Sequence, residues 1–288
     1  MSEHQLVRSE IVIVTMLRKV EFSAINDVFK AKWPRASFEE LPGSTLFFRA
    51  NCSSGWSPRV AIRCINGAGN LNAAVETTNM LSRFSPRFAF LCGIAGNIDH
   101  QKCRLGDVVV GDGFTFRQYT RVSEGKKLES TDPPVNGFSQ HMRDVSHRIV
   151  SEIQPELNGH AAETVAGGSI PHENKCMLGK IFCWDMVLDC NETRAEIHDQ
   201  DKKLKAVEME AAGFYQAIDA FKRLRRTKDR DYPLDGVIFR GLSDPASGKK
   251  QSDGGSTNWR GLSARNAAVV LADFIDAMHE GDCEAVGF

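Results

Sequence analysis

Apolar residues in this chain gather in short unbroken runs at 11–14, 60–65, 88–92, 108–110 and 237–239, mostly rich in β-branched residues and bounded by glycine, proline or charge. Runs without polar alternation mark strands buried on both faces, as in a largely parallel sheet. Between them the spacing becomes helical. Leu71, Ala74, Val75, Thr78 and Leu81 form one stripe across 71–84. A second such segment covers 210–224 through Phe214, Ala217, Ile218 and Phe221, and a third covers 260–278. This alternation predicts an α/β fold, a three-layer α/β/α sandwich with a central mixed, mostly parallel sheet. Segments 121–138 and 245–258, rich in Ser, Gly, Lys, Asp and Pro, read as loops. With no internal repeat and no clean linker, residues 1–288 read as a single domain.

Composition narrows the picture. A charged fraction of 25% and a formal net charge of -1 give no reason to expect nucleic acid or a membrane surface as partner. The start, Met-Ser-Glu-His, lacks the basic stretch and apolar core of a signal peptide. Several of the eight cysteines, such as Cys64 and Cys92, lie inside apolar runs, which fits reduced cysteine in a cytoplasmic protein. No zinc-like spacing is present, so no metal or other cofactor is expected.

Four segments could carry chemistry. Asn66-Gly67-Ala68-Gly69-Asn70 follows a strand and precedes a helix, so Gly67 and Gly69 could bring backbone N–H groups to an anion or ribose, or simply make a tight turn. Cys92-Gly93-Ile94-Ala95-Gly96-Asn97 ends a buried strand, the edge where α/β sheets collect ligands; close helix–strand packing is the alternative. In Val207-Glu208-Met209-Glu210-Ala211-Ala212 the two carboxylates stand two residues apart, on one face of a strand with Met209 opposite. A glutamate at a helix start also complements the helix dipole without any further role. In Arg240-Gly241-Leu242-Ser243-Asp244-Pro245, Asp244 is placed to cap a turn or to serve as a general acid.

Taken together and in this order, the segments resemble the nucleoside phosphorylase / methylthioadenosine–S-adenosylhomocysteine nucleosidase superfamily, from about Ile11 to Ile275. The Val207–Ala212 and Arg240–Asp244 segments carry most of the likeness, with Gly93-Ile94-Ala95-Gly96 and Arg104-Leu105-Gly106-Asp107-Val108-Val109 close behind. The resemblance implies a purine nucleoside or nucleotide as substrate and a homodimer or higher homo-oligomer. It implies that Met209 packs under the ribose, that Glu210 binds its 2′ and 3′ hydroxyls with Glu208 beside it, and that Gly93 and Ile94 border the same site. It further implies that Asp244, steadied by Ser243, protonates the purine at N7, with Val187 and Leu188 lining the base pocket.

Phosphorylases of the family place an arginine two residues before the first glycine of Gly-x-x-Gly and a hydroxyl residue just after that glycine. Leu91 and Ile94 occupy those positions here. The resemblance therefore favours water over phosphate as nucleophile, with Glu21 as its activator, although Glu21 also reads as a helix-start residue. Phosphorolysis and a non-catalytic nucleotide-sensing module stay open as alternatives. Arg260 sits roughly where some family phosphorylases keep an arginine that assists the acid. Versions found beside bacterial signalling and defence proteins suggest that Arg117 or Arg121 could meet a 5′-phosphate.

Overall fold

The computed structural model describes residues 8–65, 67–117, 120–123, 126–129, 139–153, 155–157, 173–226, 232–247 and 259–283. Most of the expected loop at 245–258 and the Arg121 side chain lie outside the described residues. The apolar runs are strands: β1 (Ile11–Thr15), β4 (Arg59–Cys64), β5 (Phe88–Asn97), β6 (Val108–Arg117) and β11 (Asp235–Asp244). Alongside them run β2 (Glu39–Leu41), β3 (Thr45–Arg49), β9 (Cys176–Trp184) and β10 (Leu204–Glu208). Among the described residues these nine form one sheet in the order β10-β9-β6-β11-β5-β1-β4-β3-β2. Part of the segment read as the loop 121–138 instead pairs as an antiparallel ribbon, β7 (Thr120–Ser123) with β8 (Lys126–Glu129). Its turn-rich composition hid two short strands.

The sheet is mixed as expected. β1 lies parallel to both β4 and β5, and β11 parallel to β5, whereas β11 and β6 run antiparallel. β5 is twice the length its apolar run suggests, because the Gly93–Asn97 stretch continues it. That extension curls far enough for Gly96 and Asn97 to pair antiparallel with Val207 and Ala206, closing β5, β11, β6, β9 and β10 into a ring.

Six helices complete the described fold: α1 (Ser23–Lys32), α2 (Asn70–Phe84), α3 (Gln140–Glu152), α4 (Asn191–Gln200), α5 (Ala211–Leu224) and α6 (Trp259–Ala277). Two glycines on β11 show the layering. A Cβ on Gly236 would press on Phe214 and Ile218 of α5, and one on Gly241 would strike the Ser263 backbone of α6. Positions 236 and 241 have opposite parity along the strand, so the two helices cover opposite faces. α2 packs beside α5 and α1 beside α6. Between sheet and α6, Phe90, Phe239 and Phe274 meet edge to face at centroid distances of 5.1–5.9 Å, the arrangement aromatic quadrupoles favour.

One helical expectation is corrected. The residues of α2 that enter the core are Ala73, Thr77, Met80, Leu81 and Phe84. Leu71 and Val75, assigned to the inner stripe by spacing, are 78% and 51% exposed. The helix has apolar residues on two faces, and only one of them meets the sheet.

Candidate active site

Because β1, β4, β5 and β11 are mutually parallel, their C-terminal ends emerge on one edge of the sheet, where α/β folds collect ligands. A cavity of about 520 Å³ opens there. Glu21, Ile94, Val187, Leu188, Glu208, Met209, Glu210, Ser243 and Asp244 all line it. Residues more than 220 positions apart in sequence thus share one site.

The inner end is built around Arg240, a fully buried β11 side chain. Its Nη2 donates to Glu208 Oε2 at 2.5 Å and to Glu210 Oε2 at 2.9 Å. The two glutamates therefore converge, but their tasks differ. Glu208 also accepts from the backbone N–H groups of Glu210 and Ala211 at 3.0 Å, so it holds the N-terminus of α5. That is the helix-start role the sequence offered to a glutamate of this segment, and Glu208 also lines the cavity. Strand β10 ends at Glu208, so the strict alternation expected through residue 210 breaks, and Met209 faces the cavity with its neighbours.

Glu210 Oε1 accepts from the Gly69 amide at 2.9 Å. Gly69 adopts φ 105°, a backbone region open to glycine, and this conformation aims its N–H at the carboxylate. The glycine turn does hold an anion, then, but the anion is the protein's own. Gly67 and Gly69 are not among the cavity-lining residues, although Ala68 is. Burial drives the Glu210 carboxyl above its usual range; Arg240 pulls it back, the charges of Glu208 and Glu21 push it up again, and the Gly69 amide opposes them. Burial also works to lower the Arg240 pKa, but the carboxylates of Glu208, Glu210 and Glu21 prevail and raise it.

Glu21 arrives from the other side. A π-helical turn over Arg18–Phe22 follows β1 and carries this buried side chain inward. Its Oε2 accepts from Thr15 Oγ1 and from the Met16 and Leu17 amides at 2.8–2.9 Å, while Oε1 accepts from the Ile94 amide at 2.9 Å. A carboxylate offers about four lone-pair sites, two on each oxygen. Oε2 is saturated, and Oε1 keeps acceptor capacity. Gly93 explains how the parts fit: a Cβ there would collide with both Glu21 Oε1 and Arg240 Nη1. That Nη1, like Nε, has no hydrogen-bond partner among the described residues.

The outer end is looser. Ser243 Oγ lies 3.2 Å from Asp244 Oδ2, and the Ala246 amide donates to Oδ1 at 3.1 Å. Gly96 keeps space there, since its Cβ would stand 3.2 Å from Asp244 Oδ1. Across the cavity, β9 ends at Trp184, and Val187 and Leu188 lie in the loop beyond it. Asn70 steadies that loop, donating to Asp185 Oδ1 at 2.7 Å while its own Oδ1 accepts from Gly213 N at 2.8 Å. Trp259 and Arg260, at the start of α6, complete this side. Arg117 is elsewhere: it is buried against Phe182 and Trp184, 5.2 and 5.0 Å from their ring centroids, and does not line the cavity.

Sequence reading missed Arg240 as the organiser of the site. An arginine within an apolar strand run was the available signal, because a buried guanidinium requires acidic partners. Among the described residues no cluster of His, Cys, Asp and Glu is placed to hold a metal ion, and no helix is long and apolar enough to cross a membrane.

A 5′-methylthioadenosine/S-adenosylhomocysteine nucleosidase of Staphylococcus epidermidis is 25% identical over 193 residues, 64% of this chain and 68% of that protein. The ATP nucleosidase Cap17 of Escherichia coli is 23% identical over 94% of this chain, which spans 52% of its length. In three dimensions, the fold matches the methylthioadenosine/S-adenosylhomocysteine nucleosidase of Neisseria meningitidis, solved with methylthio-immucillin-A, at TM-score 0.62, 19% identity and coverage of 93% and 100%. It matches the futalosine hydrolase of Helicobacter pylori at TM-score 0.65, 18% identity and coverage of 96% and 100%. The family profile of the phosphorylase superfamily runs from residue 12 to residue 276, the whole sheet and both helical layers, and this chain belongs to that superfamily.

Proposed function

We propose that the chain hydrolyses the N-glycosidic bond of a purine nucleoside or nucleotide and releases the free base. One observation carries this reading: Glu21, Glu210 and Asp244 line a single cavity, with Glu21 Oε1 and Arg240 Nη1 both crowded against Gly93. Ribose sits at the inner end over Met209, its hydroxyls donating to Glu210, a charge-assisted contact. The base reaches outward past Val187 and Leu188 to Asp244. As the bond lengthens, Asp244 delivers a proton to N7 and the sugar becomes oxocarbenium-like. Three carboxylates around one guanidinium leave the inner end net negative, which stabilises that cationic sugar where it forms. Water held at Glu21 Oε1 loses a proton to Glu21 and attacks the anomeric carbon.

Charge in the cavity supports water over phosphate. Its described lining includes four carboxylates, at Glu21, Glu208, Glu210 and Asp244, and one cation, Arg260, so a phosphate dianion is repelled from the inner end. Relatives named as acting on methylthioadenosine, S-adenosylhomocysteine and ATP support a purine nucleoside core and leave the 5′ group to experiment. Exposed Leu71 and Val75 on α2, with Met186 and Val187 at the cavity mouth, support a homo-oligomer that covers this apolar patch. The test is release of base from adenosine, methylthioadenosine, adenosylhomocysteine, AMP and ATP in phosphate-free buffer. Release of free base together with the reducing sugar, its 5′ group retained, in the absence of phosphate supports the reading; turnover only when phosphate is added, or binding without cleavage, refutes it.

A further inference from the structure

A cavity wall is as fixed as the element that carries it, and the wall toward the base belongs to the loop after β9. Met186 and Val187 line the cavity yet are 56% and 63% exposed, so they bring little packing of their own. Leu188 pins the far end of this stretch in a small apolar cluster with Phe182, Ile197 and Val207. The near end is held by polar contacts at Asp185. Its Oδ1 accepts from Asn70 Nδ2 at 2.7 Å and from the Asn70 amide at 3.4 Å.

Asn70 also reaches the other end of the site. It is the first residue of α2 and follows Gly69, whose N–H holds the Glu210 carboxylate at 2.9 Å. Its Oδ1 accepts from the Gly213 amide at 2.8 Å, in the first turn of α5, the helix that begins directly after Glu210. The buried Cys183 thiol, near the end of β9, donates to the same oxygen at 3.4 Å. The backbones are equally close, since a Cβ on Gly213 would strike the Asn70 carbonyl. A backbone amide donates and a carboxylate accepts, so both halves of the Asn70 side chain are assigned. An aspartate there could keep the contact with Gly213, and a leucine could keep neither. Helix packing accounts for the Gly213 contact. It gives no reason for a donor aimed at an exposed loop.

We infer that Asn70 is a positioning residue that sets the base wall at 186–188 in register with the ribose anchor Glu210, and so sets the affinity for the purine. This rests on the reading of the cavity as a purine nucleoside site. A wall that touches the base in ground state and transition state alike changes KM and leaves kcat.

The variant that tests this is Asn70→Asp, which keeps an oxygen for Gly213 and loses the donor to Asp185. The KM of the best purine nucleoside substrate and the Kd of adenine, by calorimetry, should both rise at least about tenfold, the worth of one hydrogen bond to a charged group. The kcat should stay near the parent's. The double variant Asn70→Asp/Asp185→Asn interchanges donor and acceptor and should bring KM and Kd back. Hydrogen–deuterium exchange should be faster at 185–188 in Asn70→Asp, recover in the double variant, and stay unchanged in the first turn of α5. Asp185 is exposed, so Asp185→Ala removes the same bond from the loop side and should reproduce the raised KM and Kd even if Asn70→Asp folds poorly. Unchanged KM and Kd in both single variants, a fall in kcat at constant KM, or no recovery in the double variant overturns the inference. A parent that neither cleaves nor binds a purine overturns the proposed function and this inference together; an active parent with indifferent variants overturns this inference alone.

Discussion

The two ends of the catalytic cavity are built on different principles. Around Arg240 the side chains of Glu21, Glu208 and Glu210 are buried and held by hydrogen bonds from backbone amides, the Thr15 hydroxyl and the Arg240 guanidinium. At Asp244 the side chain is half-buried, and among the described residues an amide and a hydroxyl donate to it. The inner end must keep charges fixed while a sugar cation comes and goes, and preorganised dipoles do that without rearranging. The outer end must deliver a proton to the leaving base in each cycle, and a half-buried carboxyl can take one back from solvent. Rigidity marks the end that holds the sugar, and access marks the end that protonates the base.

This contrast can be broken in order of effect. Asp244→Asn should lower kcat by about 10²–10⁴, the usual worth of a general acid, with an unchanged melting temperature. A large loss of stability would mean that Asp244 is structural. Arg240→Met should show the opposite profile, since it strands three buried carboxylates. Removing one partner of a buried ion pair costs roughly 3–5 kcal/mol, so the midpoint of urea unfolding should fall sharply whether or not substrate is present. A variant as stable as the parent would refute the account of the inner end.

The third prediction concerns pH. The folded state raises the Glu210 carboxyl above its usual value of 4.5, so between that value and the raised one the folded chain binds more protons than the unfolded chain. Stability is then fully present at low pH and declines as pH climbs through the raised value. Melting temperatures measured upward from pH 4.5 should show this decline in the parent and a flatter curve in Glu210→Gln. Identical curves would remove Glu210 as its source. Smallest of all, Ser243→Ala takes away a 3.2 Å contact and should reduce kcat by less than tenfold, about 1 kcal/mol for one neutral hydrogen bond.

What could be read in advance divides along similar lines. Strand runs are local features, visible because β-branched runs stand out from their neighbours, whereas the carboxylates at positions 21, 210 and 244 were singled out by the family resemblance. The apportioning of Glu208 and Glu210 was not visible, since spacing gives two acidic residues the same claim on a face and only the end of β10 separates them. Gly69 looked like part of an anion cradle because a glycine turn before a helix is one; that the anion is Glu210, 141 positions later, is a tertiary fact. The outward stripe of α2 failed for a related reason. Periodicity finds apolar faces and cannot say which face meets the sheet and which meets something else.

The curl at the end of β5 has a consequence for how the protein is made. Gly96 and Asn97 wait for β10, and Glu21, supplied by the first tenth of the chain, waits for Arg240 near its last sixth. Pairings between such distant segments form slowly, and during synthesis the catalytic centre stays incomplete until β11 has left the ribosome. A nascent chain paused before that point lacks the strand that joins β5 to β6 and carries three acidic side chains without their counter-ion, which makes late translation the stage at which this protein most needs protection from aggregation.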